Sequence, residues 1–251
     1  MIVSHKHKMI FFHCRKTGGS AVKLNLYPHL GEDDIVIGGL SEIIEHGYRL
    51  NKATRSALMT PLGLTFYLTQ RMRNHSNASA VNYSVKSYYQ HISESSEPEH
   101  ALARDVKAAF PGEFGSYYKF AFVRNPYTQV VSEYLWRSKT ARKKVSFSTY
   151  LDLVFSQKAG NFFNGAGFRN FDIISIDGNL ICDYVGKFEN FGSDFSAVTK
   201  RLGIECELKE SAKVGQVSQV EYGSMYKPGD REKVKALFLR ELEVFGYDWP
   251  F

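Results

Sequence analysis

Near its start the chain reads Cys14-Arg15-Lys16-Thr17-Gly18-Gly19-Ser20, a set of residue types suited to holding an anion. Glycines let a backbone approach a ligand closely and adopt dihedrals that other residues avoid. A helix opening at this point offers free N–H groups and a partial positive charge. Lys16 and the hydroxyls of Thr17 and Ser20 add side-chain donors. The order is not that of a Walker A loop, in which the lysine follows the glycines; here Lys16-Thr17 precedes them. The competing reading is a structural glycine turn.

A second group lies far along the chain. Arg124 stands at the carboxyl end of the apolar run Phe120-Ala-Phe-Val123, where open α/β sheets place their ligands. Asn125-Pro126 then supplies a helix cap with proline at the first helical position. Ser132, seven residues beyond Asn125, returns to nearly the same helix face after two turns. Arg124 and Ser132 are thus placed to grip one phosphate, for which the planar arginine fork is well shaped. Alone, the pair reads rather as a solvated arginine and an incidental serine. The two groups together describe a ligand with two separated anionic groups.

The elements that must position these residues follow from periodicity. Ile10-Phe-Phe-His13 is a short apolar run that predicts a buried strand, and Ser20 to Leu30 predicts a helix. Phe120 to Val123, apolar on both faces, suits a parallel strand covered on each side. Helices are expected over 40–48, 53–71, 99–110, 126–139, 147–156, 191–202 and 231–245. Asp177-Gly178 between apolar runs signals a hairpin, and Gly203 fits a helix C-cap. The polar stretch Asn74 to Ser84 holds three glycosylation-type sequons and reads as a loop in which they arise by chance. Strands alternating with helices give the expected fold class: α/β, a three-layer sandwich with a central parallel sheet of the nucleotide-kinase type. No repeat or long linker divides the chain, so 1–251 reads as one domain with 31–97 as its least legible part.

Length and composition agree with one globular unit. The 251 residues are enough to bury roughly three quarters of the unfolded surface. With 43% hydrophobic and 23% charged residues the chain is neither disordered, collagen-like nor a disulfide-stapled miniprotein. No stretch approaches the roughly 20 apolar residues of a membrane helix. Three cysteines without a CxxC pair point to a reducing compartment and no zinc ribbon. The expectation is a cytoplasmic protein. The formal net charge of +6 favours polyanionic ligands or simply keeps the surface soluble.

Four segments resemble a known family. Ile10-Phe-Phe-His-Cys-Arg-Lys-Thr-Gly-Gly-Ser20 is similar to the 5′-phosphosulfate loop of sulfotransferases, and Lys119-Phe-Ala-Phe-Val-Arg-Asn-Pro-Tyr-Thr-Gln-Val-Val-Ser-Glu-Tyr134 to their 3′-phosphate motif. Gly186-Lys-Phe-Glu-Asn190 and the tail ending Phe-Gly-Tyr-Asp resemble the carbohydrate sulfotransferase branch. The resemblance covers 1–30 and 98–251. It implies transfer of a sulfuryl group from 3′-phosphoadenosine 5′-phosphosulfate (PAPS) to a hydroxyl or amine of a glycan or other hydroxylated acceptor, with no metal. It implies that Arg15, Lys16, Thr17, Gly18, Gly19 and Ser20 hold the 5′-phosphosulfate and that Arg124 and Ser132 hold the 3′-phosphate. Lys16 would stabilise the leaving phosphate. Many relatives have proline where this chain has Arg15, whose extra cation either joins the phosphosulfate contacts or points away.

An acceptor hydroxyl needs a base, and histidine suits neutral pH. His100, 24 residues before Arg124, matches the upstream distance of a catalytic histidine in similar carbohydrate sulfotransferases. His91 is the rival, with Glu99 and Glu94 as weaker alternatives. His5, His7 and His13 make no convincing metal set, the first two lying in what reads as a frayed terminus. Lys52, Arg55, Arg71, Arg73 and Lys86 are expected near the acceptor cleft. Tyr67, Tyr83, Tyr88 and Tyr89 are placed to stack on sugars or to fill a core. Arg137, Lys139, Arg142, Lys143 and Lys144 form a basic run that steers anions or caps a solvated helix. Two other classes remain open at this point: a nucleotide-dependent phosphotransferase and a basic nucleic-acid-binding module. The first is opposed by the loop order and by Arg124 standing where a magnesium-binding aspartate would. The second is opposed by aromatics that do not interleave with the basic residues, and no nucleic-acid partner is expected. As for localisation, the reading is a soluble, bacterial-type enzyme or one from which an anchor has been removed.

Overall fold

The two apolar runs become neighbouring strands at the centre of a sheet. The computed structural model describes residues 1–93, 97–140, 145–156, 169–208 and 219–251. Its strands are β1 (Ile2–Ser4), β2 (Met9–Phe12), β3 (Ile35–Val36), β4 (Tyr118–Val123), β5 (Ser175–Ile176), β6 (Asn179–Leu180) and β7 (Tyr184–Lys187). The main sheet has the order β3-β1-β2-β4-β7. β2, β4 and β7 run parallel, Phe11 opposite Phe120 and Ala121 opposite Val185, whereas β1 runs antiparallel to both β2 and β3. Every residue of β2 and the last four of β4 are buried, as parallel strands covered on both faces must be.

Helix α1 (Gly19–Leu26) follows β2. Between β3 and β4 lie α2 (Leu40–Glu45), α3 (Lys52–Leu58), α4 (Pro61–Met72), α5 (Asn77–Tyr88), α6 (Ala103–Ala109) and α7 (Pro111–Ser116). Beyond β4 come α8 (Pro126–Thr140), α9 (Phe147–Phe155) and α10 (Asn170–Ile173). After β7 follow α11 (Phe191–Arg201), α12 (Gln219–Ser224), α13 (Asp230–Leu237) and α14 (Leu239–Phe245). The fold is α/β with a central, mostly parallel sheet flanked by helices. Among the described residues no helix is long and apolar enough to cross a membrane.

Several expectations change. The N-terminus is not frayed: Ile2 and Val3 are fully buried and form β1, His5 Nδ1 lies 3.0 Å from Tyr117 Oη, and His7 Nε2 lies 2.8 Å from the His29 carbonyl. Three residues are too short a run to signal a strand until β2 and β3 flank them. The polar stretch 74–84 is not a loop but mostly α5, capped by Ser76, whose hydroxyl accepts from Ser79 N. Its buried face is written in small residues, Ala78, Ala80, Val81 and Ser84, which carry little hydrophobic signal. Ser84 Oγ donates to the Gly63 carbonyl of α4 at 2.7 Å. A Cβ on Gly63 would stand 2.3 Å from the Ala57 carbonyl, so glycine is what lets α4 fold back onto α3. The helix expected over 53–71 breaks at Thr60-Pro61, and that over 231–245 breaks at Phe238. Asp177 and Gly178 turn with φ of 51° and 76°, as a two-residue hairpin loop of type I′ demands.

Candidate functional site

At the end of β2 the chain makes a tight loop before α1. Lys16 and Gly18 both take left-handed backbone, φ 59° and 82°. Glycine does so freely, but a lysine there costs on the order of 1 kcal/mol and must be held by its surroundings. Asn170, at the start of α10, provides that hold. Its Oδ1 accepts from Arg15 N at 2.7 Å, its Nδ2 donates to the Arg15 carbonyl at 3.1 Å, and the same amide reaches Gln129 Oε1 of α8 at 2.9 Å. Thr17 Oγ1 closes the loop from within, donating to the Cys14 carbonyl at 3.0 Å. The glycines are a matter of space as well as dihedral. A Cβ on Gly19 would lie 1.9 Å from His13 Cδ2, and one on Gly18 would lie 2.9 Å from Phe191 Cε2.

The expected cations meet here. Arg124 leaves the end of β4, donates from Nε to Thr128 Oγ1 at 3.0 Å, and places Nη1 3.4 Å from the Lys16 carbonyl. Its guanidinium lies 4.3 Å from the centre of the Phe188 ring. Lys16 Nζ sits 5.5 Å from the centre of the Trp136 ring on α8. Thr128, Ser132 and Trp136 recur every four residues and share one stripe of α8, so half-buried Ser132 stands between the partner of Arg124 and the partner of Lys16. Burial lowers the pKa of Lys16, opposed by the charge of Glu133 and helped by that of Arg124, and burial lowers that of Arg124 against Tyr222 and Glu189. Neither cation has a carboxylate ion-pair partner among the described residues.

Arg15 is different. Its side chain is buried and ion-paired with Glu97, so its charge is already balanced within the protein. Ser20 Oγ lies 3.5 Å from Glu42 Oε1, a weak contact at best.

His100 lies on a short 3-10 turn (Pro98–His100), before α6 rather than inside a helix. Its Nδ1 is 2.6 Å from the His13 carbonyl, and its ring centre is 4.5 Å from that of His13. Burial, then the charge of Arg15, holds its pKa well below the usual imidazole value. His13 is lowered likewise by burial and by Lys23, and its buried Nδ1 has no partner among the described residues. Next to this pair, Glu99 is tied to Lys86 at 2.5 Å. Burial works to raise the Glu99 carboxyl, but Lys86 and Lys23 together bring it below the ordinary range. Lys23, fully buried on α1, donates to the Ile37 and Gly38 carbonyls and is pushed down to about 8 by burial. His91, by contrast, is exposed and lies 2.9 Å from the Tyr88 carbonyl, with no contact to the glycine loop.

Other expected residues divide. Lys52 and Arg55 pair with Asp33 and Glu32 on the surface. Tyr89 is buried and Tyr88 and Tyr67 are partly so, which makes them core, while Tyr83 is exposed beside His75. Arg137 is buried and bonded to Glu133 at 2.7 Å. Glu94, Arg142, Lys143 and Lys144 lie outside the described residues.

Several residues that matter were not singled out from sequence. Glu97, Asn170, Gln129 and Trp136 carry no local signal, because each acts across a gap of many residues. Glu189 does have one, lying within Gly186–Asn190. Its carboxylate accepts from Asn125 N at 2.8 Å and from the Tyr247 hydroxyl at 2.9 Å. Asn125 Nδ2 in turn donates to the Asp248 carbonyl at 2.8 Å. The two later motifs are therefore braces for the corner that carries Arg124.

The chain matches the profile of the sulfotransferase family over residues 1–248. It belongs to that family. The protein is thus a sulfotransferase, and among the three readings left open by the sequence the enzymatic transfer of a sulfuryl group is the one selected. An uncharacterized protein of Archaeoglobus fulgidus is 28% identical over 96 residues, which is 38% of this chain and 75% of that protein. The crystal structure of a sulfotransferase from Alicyclobacillus acidocaldarius matches with a TM-score of 0.42 and 14% identity, covering 96% of each chain.

Proposed function

We propose that this sulfotransferase uses PAPS as its donor and a hydroxyl of a carbohydrate-like molecule as its acceptor, within one domain whose residues 31–97 face the acceptor. The observation that carries the reading is the pair of largely desolvated cations, Lys16 and Arg124, that meet at the glycine loop with no carboxylate in ion-pair contact among the described residues, Glu133 and Glu189 acting on them only from a distance. Buried charge without a counter-ion in contact is costly, and a ligand with two anionic groups supplies one to each cation. The family generally uses PAPS, and the loop chemistry fits such a donor. The first-turn amides of α1 have no intrahelical acceptor, and Gly18 and Gly19 leave room for an oxygen where a side chain would stand. The residues assigned to the 5′-phosphosulfate are Lys16, Thr17, Gly18, Gly19 and Ser20, with Arg15 shaping the loop through Glu97 and Asn170. Arg124 and Ser132 are assigned to the 3′-phosphate.

PAPS supplies an activated sulfuryl group on a phosphate leaving group. His100 takes the acceptor proton at Nε2 as the acceptor oxygen bonds to sulfur. Lys16 meets the negative charge left on the 5′-phosphate when the bridging sulfur–oxygen bond breaks, a fixed cation at a developing anion. The test is calorimetric titration with 3′-phosphoadenosine 5′-phosphate. Wild type binds, and Arg124→Ala weakens binding by about 2 kcal/mol, the range for a charged hydrogen bond. Absence of wild-type binding, or an unchanged affinity in Arg124→Ala, would remove the donor assignment.

A further inference from the structure

Helix α4 is apolar on the wrong side. Its inner face is settled: Gly63 and Gln70 are buried, and Gly63 accepts from Ser84 of α5. Yet Leu64, Leu68 and Met72, four residues apart and therefore on one stripe, all face solvent, with Leu68 at 58% and Met72 at 85% exposure. Leu62 and Phe66 form a second exposed pair, and Met59 precedes them at 66%. Six large hydrophobic side chains exposed within 14 residues are not the scattered leucines of an ordinary surface. A patch of this kind marks an interaction site.

The charge of the same region says by what. Residues 46–93 contain six lysines and arginines and no aspartate or glutamate, so this stretch alone accounts for the chain's net charge of +6. Lys52, Arg55 and Lys86 are neutralised by Asp33, Glu32 and Glu99. Arg49, Arg71 and Arg73 have no ion-pair partner among the described residues, and the last two flank Met72, the most exposed of the apolar side chains.

We propose that α4 is an interfacial helix that docks the protein on an anionic lipid bilayer. Leu64, Leu68 and Met72 enter the boundary between headgroups and acyl chains, while Arg71 and Arg73 meet the lipid phosphates. Helices with an exposed apolar stripe edged by arginine bind such surfaces by the sum of the two terms, and each juxtamembrane cation contributes about fivefold in affinity. The charge opposes a second copy as the occupant. Two-fold pairing sets the same patch against itself and offers no acidic partner to Arg71 or Arg73, since 46–93 contains no aspartate or glutamate. Met72 is almost entirely in solvent, as suits insertion into a soft interface. The proposal does not rest on the donor chemistry, and it places on the bilayer a helix of the same 31–97 region that is proposed to face the acceptor.

The experiment is co-sedimentation of the full chain with vesicles of phosphatidylcholine alone and of phosphatidylcholine mixed with phosphatidylglycerol, at low and high salt. The chain partitions onto the anionic vesicles and is released by salt. Arg71→Ala with Arg73→Ala weakens binding about 25-fold, the product of two cation contributions. Leu68→Ser with Met72→Ser weakens it by about tenfold or more through lost apolar insertion. All variants stay folded and melt cooperatively; Arg71→Ala gives up only the exposed bond from Arg71 Nη1 to the His75 carbonyl, 2.7 Å, at the end of α4. Failure of wild type to bind anionic vesicles, equal binding to neutral ones, or binding unchanged in either double variant overturns the proposal. So does light scattering that shows a wild-type dimer dissociated by Leu68→Ser with Met72→Ser, which would give the face to a second copy.

Discussion

The hydrogen bond between His100 Nδ1 and the His13 carbonyl, at 2.6 Å, decides where the imidazole can act. A carbonyl oxygen only accepts, so Nδ1 carries the proton and the lone pair is left on Nε2, the tautomer a base requires. Burial and the nearby charge of Arg15 lower its pKa, which keeps the ring neutral through the physiological range. His91 has the same bond to a backbone carbonyl, but on an exposed turn away from the loop. At this scale we expect His100→Ala to lower kcat by about 10²- to 10⁴-fold, the usual share of a general base. Affinity for 3′-phosphoadenosine 5′-phosphate should be retained, and His91→Ala should leave the rate intact. The wild-type pH profile adds a check that a structural histidine would not move. With the pKa depressed, the acid limb of kcat/KM falls below about 6.5, the value of an unperturbed imidazole. A limb at or above that value, together with an active His100→Ala, would take the role from His100.

Between elements, the glycine loop is held by one buried amide. Asn170 satisfies both backbone groups of Arg15 and the side chain of Gln129, so α10, α8 and the loop meet at one side chain that is 1% exposed. Asn170→Ala leaves buried polar groups unpaired, each worth about 1–3 kcal/mol. The expected loss is about 3 kcal/mol in urea unfolding, and with it a weaker hold on the nucleotide as Lys16 relaxes from its left-handed conformation. A loss of stability with nucleotide affinity intact would show that Asn170 supports the fold and not the loop. What the sequence made legible at this scale is the pair of corners, strand to loop to α1 and strand to α8, since apolar runs, glycines and the Asn125-Pro126 cap are local signals. The braces were not legible. Asn170 is 155 positions from Arg15, and nothing around it marks a partner at that distance. α5 was misread for a related reason: its inner face of Ala and Ser packs closely on α4 but carries too little apolar contrast to show a period.

Across the whole molecule the site is closed by the end of the chain acting on its beginning. Tyr247 and Asp248 brace Glu189 and Asn125, and Glu241 on α14 accepts from Phe171 N at 2.8 Å, one residue past the Asn170 that holds the loop. A parallel sheet was expected because consecutive strands are separated by helices. The antiparallel β1 escaped because a three-residue strand gains its identity only from the β2 and β3 it joins. Glu241 gives this long-range closure a pH dependence. Burial pushes its carboxyl up from 4.5 to about 8. Between those values the folded chain keeps a proton that the unfolded chain gives up. The folded state therefore binds more protons, and the contribution of Glu241 to stability, present in full below pH 4.5, is lost as pH rises through about 8. Glu241→Gln keeps the oxygen that accepts from Phe171 and removes the ionisation. We expect the variant to match wild type near pH 5 and to exceed it progressively toward pH 8.5, by a few kcal/mol on the order of what a shift of this size carries. Urea midpoints measured on both proteins across that range isolate the effect, because the titrations of His13, His100 and Lys23 are common to the two and cancel. A constant difference between the curves would mean that Glu241 is ionised within the fold, and that α14 is secured to α10 by a charged bond instead of a neutral one.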